Sequence, residues 1–348
     1  MIHKTHLLQQ ILETRTDTKK VFGTSFSIRY KDQIWAGASC NLVPESSYFI
    51  ASTTKLYTTA VILNLQSKGR LKLGDLILNY LDERIATGLN NYKGIDHSNK
   101  ITIRDLLAHT SGIPDYFQGK SANGISLERQ LTTGTDQAWS FEESIVRSKT
   151  IRSPFPVGKP GKAHYSDTNF QLLGEIIRKI SGKTLEENYK EVIFEPLQLT
   201  KTYVYQDPTD KIPATLFYKN VPLDIPLAMS SFGPDGGIVS TSDELLQFLC
   251  HFFNGTFFEQ TTLEELKVWN RIFFPMKSGV GIHQFKLPRI FDPVGIIPEL
   301  IGHSGLSGAL AYCSPQHDLY IAGTVNQVAY PETSFKLMTK LIRTVLKK

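Results

Sequence analysis

Cysteine, long apolar runs and clustered basic charge are all scarce in this 348-residue chain. Cys40, Cys250 and Cys313 lie far apart, match no zinc spacing and cannot all pair with one another, so they read as small apolar core residues. None of the nine histidines falls in an H-E-x-x-H or comparable pattern. The expectation is therefore no metal and no cofactor. No Lys/Arg run exceeds Lys347-Lys348, and a formal net charge of +5 over scattered residues leaves no nucleic-acid footprint. No stretch has the apolar length that crosses a bilayer. The segment His6 to Glu13 is too short and polar for an export leader and reads as an amphipathic helix with Leu7, Leu8, Ile11 and Leu12 inward. A cytoplasmic protein is the expectation, or an extracytoplasmic one if a leader has been removed.

What is present describes an ordinary enzyme-sized chain, with 41% hydrophobic and 20% charged residues and no repeat or low-complexity tract. Val21 to Tyr30 and Ile34 to Cys40 read as a hairpin. Ser52 opens a helix carrying Leu56, Ala60, Leu63 and Leu65 and closing near Gly69. Thr102 to Asp105 is a capping box. Residues 113–162 read as a long loop bracketing one short helix near Phe141 to Arg147, and ordered loops of that length usually serve function. A helix spans Asn169 to Ile180 and stops at Ser181-Gly182, and another spans 242–253. Strand signals near 279–285 and 300–303 precede a hairpin of Gly308 to Ser314 and Leu319 to Val325, and a helix from Glu332 ends the chain. The order implies an α+β fold whose mostly antiparallel sheet takes its halves from opposite chain ends. The expected division is a discontinuous sheet lobe, 1–60 with 236–348, and a mainly helical lobe, 61–235, with the active site between them.

The chemistry begins at Ser52-Thr53-Thr54-Lys55. Residues three apart on a helix share a face, so Lys55 can reach the Ser52 hydroxyl. Serine needs an adjacent base to become a nucleophile, and a lysine whose neutral amine is favoured by burial can supply one. Alone the motif is weak. It gains meaning from Leu106-Leu107-Ala108-His109-Thr110-Ser111-Gly112, His164-Tyr165-Ser166-Asp167, Gly236-Gly237-Ile238-Val239-Ser240-Thr241 and Gly302-His303-Ser304-Gly305, which follow in one order. Together these resemble the serine β-lactamase and penicillin-binding-protein superfamily, in the branch with class C β-lactamases, D-alanyl-D-alanine carboxypeptidases, D-aminopeptidases and esterases. The resemblance covers most of residues 20–345.

The resemblance implies a β-lactamase/transpeptidase-like fold, Ser52 as the acylated nucleophile, Lys55 as its proton acceptor and Tyr165 as the partner acid/base. It implies that His303 walls the catalytic cleft with Ser304 and Gly305, that the Ser52 and Leu306 N–H groups form an oxyanion hole, and that Asp167 meets substrate. A helix N-terminus suits such a hole, since its free N–H donors and positive dipole end face developing negative charge. Tyr218-Lys219-Asn220 also fits the tyrosine motif literally, but a long amphipathic helix follows Tyr165 instead. His109 and Gly236-Gly237 read as structural. Gly305-Leu306-Ser307-Gly308-Ala309 misses G-x-S-x-G and has no alternating βα context, which excludes an α/β-hydrolase.

Two departures bear on substrate. Histidine stands at 303 where class C β-lactamases carry lysine, which removes a fixed cation and implies feeble or absent β-lactamase activity. Aspartate stands at 167 where asparagine is commoner. A carboxylate there disfavours anionic substrates, and it can instead pair with Lys55 and leave Tyr165 as the base. The expected function is a serine hydrolase cleaving an ester or amide of a small molecule or peptide through a covalent Ser52 intermediate. The alternatives are a D-alanyl-D-alanine carboxypeptidase or weak class C-like β-lactamase and, in another class, a penicillin-binding module without turnover. Oligomeric state leaves no mark in the sequence.

Overall fold

A computed structural model describes residues 4–121 and 124–347. Its centre is an eight-stranded, wholly antiparallel sheet. The strands are β1 (Gly23–Tyr30), β2 (Gln33–Cys40), β3 (Asn270–Phe273), β4 (Met276–Ser278), β5 (His283–Phe285), β6 (Leu300–Ser304), β7 (Ala309–Ser314) and β8 (Leu319–Thr324). Their spatial order is β3-β4-β5-β6-β7-β8-β1-β2, so the N-terminal hairpin is laid beside the last strand with Ser25 opposite Thr324 and Tyr30 opposite Leu319. The expectation that the sheet is assembled from both chain ends holds.

Alternation along these strands sends side chains to two cores. On one face Phe26, Ile28, Leu310, Tyr312 and Ile321 pack with helices α1 (Thr5–Glu13) and, by way of Met338, Leu341 and Ile342, α5 (Glu332–Leu346). On the other face the small residues Ala309, Ala311 and Ala322 join the larger core that also holds Leu245 and Phe248 of α4 (Ser242–Phe253). Ser25 and Ser27 of β1 meet the Ser242 hydroxyl at 3.0 and 2.9 Å, tying the start of α4 to the sheet. In α1 the inward face is Leu8, Ile11 and Leu12, whereas Leu7, expected inward, is 49% exposed. It lies 100° round the helix from Leu8, at the edge of the stripe that meets the protein.

Beyond the sheet, α2 (Thr54–Ser67) is buried over nearly its whole surface, which is why its apolar residues show no single face. Against it packs α3 (Asp167–Ser181), ended by Gly182 in a left-handed conformation (φ +72°). The Thr102 capping box forms with Asp105 as expected. Among the elements not legible were a helix Leu127–Thr132 inside the supposed long loop, capped by Ser126, and β3 and β4 at the sheet edge. Cys250 and Cys313 are buried, but Cys40 is exposed at the end of β2, correcting its assignment to the core. Among the described residues no helix is long and apolar enough to cross a membrane.

Candidate active site

The nucleophile candidate sits on a bend. Ala51 adopts φ +46°, a single 3₁₀ turn covers Ala51–Thr53, and α2 starts at Thr54. A non-glycine residue in the left-handed region costs energy and marks a position held by its surroundings. Ser52 therefore precedes the α-helix instead of opening it. Lys55, in the first turn, still faces it: Lys55 Nζ lies 3.1 Å from Ser52 Oγ. From two residues before α3, Tyr165 donates its phenolic O–H to the same oxygen at 2.7 Å. Three residues separated by up to 113 positions thus meet at one hydroxyl.

Lys55 is fully buried, and its remaining contacts are strong acceptors. Its ammonium donates to Asp167 Oδ1 and to the Asp235 carbonyl, each at 2.6 Å, and lies 5.1 and 5.3 Å from the ring centroids of Tyr165 and Phe170. Asp167 is the first residue of α3, where the helix dipole favours a negative charge. Its own N–H donates to Asp115 Oδ1 at 3.0 Å, and Asp115 also accepts from the N–H groups of Phe117 and Gln118. Burial and the nearby Asp167 carboxylate push the Asp115 carboxyl up to about 7. The same two causes hold Asp235 well above the usual carboxylate range, although Lys55 opposes them. Asp235 Oδ2 accepts from Tyr116 O–H at 2.9 Å and from Gln171 Nε2 at 3.1 Å.

The opposite wall is histidine. His303 and His283 stack with ring centroids 4.1 Å apart, and His109 stacks on Tyr165 at 4.7 Å. All three are buried. Burial is the leading reason that each stays neutral, with Lys55 adding to it: His283 is pushed down to about 3, and His109 and His303 well below the ordinary imidazole range. His303 Nδ1 accepts the Ser304 N–H at 3.0 Å and bonds neither Ser52 nor Lys55, so its place is the wall and not the proton path. His109 accepts the Ser166 N–H and its carbonyl accepts the His164 N–H at 2.8 Å, tying down the segment that carries Tyr165. Tyr165 is held well above the usual phenol range by burial and by Asp167, with the Ser52 contact acting the other way.

The turn after β6 closes the site. A Cβ on Gly305 would lie 2.4 Å from the Ile50 carbonyl and 3.1 Å from the Ser52 nitrogen, so only glycine allows this approach. Gly305 N–H donates to Ala309 O at 2.8 Å, and the Ser307 hydroxyl donates to Phe49 O at 2.7 Å, fixing the turn over the nucleophile. Leu306 consequently borders the cleft on both sides of Ser52. Tyr218, the rival tyrosine, belongs to the hairpin Leu216–Tyr218 and Val221–Leu223, while the tyrosine on Ser52 is Tyr165.

Sequence reasoning missed Asp115, Asp235 and His283. Asp235 immediately precedes the Gly236-Gly237 landmark, and Asp115 lies three residues after the Leu-Leu-Ala-His-Thr-Ser-Gly segment, so both lay beside motifs given no chemistry. His283 had no signal, since its importance comes from strand pairing that sets it opposite Gly302.

Ser52, Lys55 and Tyr165 thus form a hydroxyl–ammonium–phenol cluster at the N-terminal end of a helix beside an antiparallel sheet. The Beta-lactamase family model matches residues 8–345, and the chain belongs to that family. It is 24% identical over 298 residues to the "Putative penicillin-binding protein PbpX" of Bacillus subtilis (strain 168), covering 82% of this chain and 66% of that protein. It is 31% identical over 159 residues to the "Putative D-alanyl-D-alanine carboxypeptidase" of Escherichia coli O157:H7, covering 44% of this chain and 33% of that one. The chain thus spans a third to just under two thirds of these relatives. The D-amino acid amidase of Ochrobactrum anthropi SV3 superposes with a TM-score of 0.80 at 20% identity, covering 99% of this chain and 98% of the amidase, a likeness of fold.

Proposed function

We propose that this chain hydrolyses esters or amides of small molecules or peptides through an acyl-enzyme on Ser52, with Lys55 and Tyr165 as its proton-transfer groups. The observation that carries this is the double contact on Ser52 Oγ, 3.1 Å from an ammonium and 2.7 Å from a phenol. Lys55 passes one proton to Asp167, 2.6 Å away, and so can take the proton of Ser52 as its oxygen bonds to the acyl carbon. The N–H groups of Ser52 and Leu306 hold the oxyanion. Tyr165, kept a neutral phenol, gives a proton to the leaving atom as its bond to the acyl carbon breaks, and Lys55 restores it. Net, the Ser52 proton ends on the leaving group. Water then repeats the sequence in reverse, giving the acid and free Ser52.

The cleft favours neutral or amine-bearing substrates. Asp167, Asp235, Glu128 and Glu332 border it, and among the described residues no Lys or Arg lines it, Lys55 being buried beneath Ser52 and paired with Asp167. His303, kept neutral, adds no cation. Asp167, Ser304 and Gly305 are the substrate-facing polar edge. The amidase likeness agrees with amine-bearing acyl donors, whereas a carboxypeptidase or β-lactamase reading needs a cation for the substrate carboxylate. In this proposal the site lies between a sheet lobe, 1–60 with 236–348, and a helical lobe, 61–235.

The test is release of p-nitrophenol from p-nitrophenyl acetate by wild type and Ser52→Ala. Steady release beyond one equivalent per protein, lost in the variant, is expected. Release stopping at one equivalent would leave a binding module that does not turn over, and release undiminished in Ser52→Ala would remove Ser52 as the nucleophile.

A further inference from the structure

Two cavities meet at Ser52, and they differ in chemistry. The first, about 590 Å³ of space between atoms, runs past Gly236 and Ser307 into Leu131, Leu216, Ile225, Met229, Phe232 and Val328. The second, about 1150 Å³, runs the other way beneath Tyr165 and His303 and is rimmed by Phe273, Phe274, Met276, Phe285 and Phe335. Ser52, Asp167, Phe117 and Leu306 border both, so a substrate attacked at Ser52 has one half in each.

Tyr165 decides which half goes where, because it borders the second cavity only. A leaving atom departs toward its proton donor, and water must later occupy the same place beside the same group. We infer that the second cavity is the leaving-group trough and the first an acyl pocket, so that the preferred substrate joins a compact apolar acyl group to an aromatic alcohol or amine. This inference rests on the acyl-enzyme reading above.

Two further observations support it. The acyl pocket walls are mostly aliphatic and aromatic carbon from the helices Leu127–Thr132 and Pro226–Met229 and the hairpin Leu216–Leu223, with Ser52, Glu128, Thr132, Asp167, Asp235 and Ser307 as the polar lining residues. An acyl side chain there gains by leaving water. Phe274 is 79% exposed at the rim of the trough, an unsupported aromatic face on which a ring can stack.

The experiment uses the full chain and two ester series, each rate divided by the ester's own hydroxide-catalysed rate. With a p-nitrophenyl leaving group, phenylacetyl is expected to exceed acetyl in kcat/KM by about 10²-fold, in line with pocket contacts worth roughly tenfold or more per added group. Val328→Phe, or Met229→Phe should the first fold poorly, is expected to erase about tenfold of that preference, read as the ratio of the two kcat/KM values. With acetyl held fixed, 2-naphthyl is expected to be preferred over trifluoroethyl, and Phe274→Ala to reduce that preference by about tenfold without touching acyl preference. Pocket-filling variants that alter leaving-group preference, or Phe274→Ala altering acyl preference, would overturn the assignment while leaving acyl-enzyme hydrolysis intact. Equal use of acetyl and phenylacetyl esters would do the same. Failure of wild type to turn over any ester would overturn the underlying reading and this inference with it.

Discussion

On one side of Ser52 stands a wall of carboxyl groups, and on the other a wall of imidazoles. Both are buried, yet they solve burial differently. On the acidic side hydrogen bonds are more numerous: Asp115 accepts three backbone N–H groups, Asp235 accepts from Tyr116 and Gln171 at Oδ2 while its Oδ1 has no partner, and Asp167 is closed by Lys55. On the histidine side hydrogen bonds are few, and His283 has none to its ring. Neutral rings stacked at 4.1 Å can endure that, whereas ions cannot. The difference teaches that the acidic wall holds the charge and the histidine wall shapes a site kept free of it.

The comparison breaks most sharply where the charge is removed. Asp167→Ala strips the fully buried Lys55 ammonium of its carboxylate, and losing one member of a buried ion pair costs about 3–5 kcal/mol. A denaturant melt should show that loss together with collapse of ester turnover. A stability change below about 1 kcal/mol would mean that the Asp235 carbonyl and the surrounding rings suffice for the ammonium, and the charge would not need its wall.

The two walls should also answer acid with opposite signs. His283 titrates at about 3 in the folded chain against an ordinary value near 6.5, so on acidification the unfolded state takes the proton first. Stability supplied by keeping this ring neutral is complete above about 6.5 and is lost as pH falls toward 3, by roughly 1.4 kcal/mol per pH unit within that window. His109 and His303 act in the same sense. Asp115 acts in reverse: its folded value of about 7 exceeds the unfolded 3.8, so its contribution is greatest below 3.8 and declines as pH rises to about 7. Measured between pH 6.5 and 4, the loss of stability should be shallower in His283→Gln and steeper in Asp115→Asn than in wild type. Parallel curves for all three would show that neither group carries a shifted proton.

Much of this site was readable before any coordinate. Ser52 and Lys55 are local, three residues apart, and helical geometry alone brings them together. Tyr165 and His303 were found because each sits in a motif, although spacing says nothing of their meeting. That the sheet is antiparallel and built from both ends of the chain followed from the two hairpins, though not its eight strands. What was not readable depends on tertiary placement. Asp115 and Asp235 matter through a ring of contacts spanning more than a hundred residues, and nothing near either announces a buried carboxyl. Asp167 was noticed, and its pairing with Lys55 considered, but only packing could decide between that partner and solvent. His303 was expected in the wall of the catalytic cleft, but that its Nδ1 turns to the Ser304 backbone shows only in the fold. The short helix Leu127–Thr132 hid in a polar stretch because its two inward residues, Leu127 and Leu131, are too few for a period to show.

The gentlest change to the acidic wall is the one that sharpens the comparison furthest. Asp167→Asn retains an oxygen to accept from Lys55, so the hydrogen bond at 2.6 Å can persist and the fold should tolerate it far better than Asp167→Ala. It nevertheless converts a neutral ion pair into a lone ammonium beside Ser52. Substrate anions then meet a positive site where they met a balanced one, and amine-bearing substrates meet repulsion. At partly buried separations of a few ångströms this is worth about 1.4 kcal/mol once relaxation is allowed for, so the kcat/KM ratio of an anionic to a neutral ester should rise about tenfold. Absolute acylation rates should fall, because an amide cannot take the proton that Lys55 gives up, but acylation by benzylpenicillin, read as a mass adduct absent from Ser52→Ala, should fall less than that by a neutral ester, by a similar factor. If the ratio does not move while pH–rate profiles of the two proteins superimpose, the Asp167 charge has no electrostatic role, and selectivity must come from the shape of the two cavities alone.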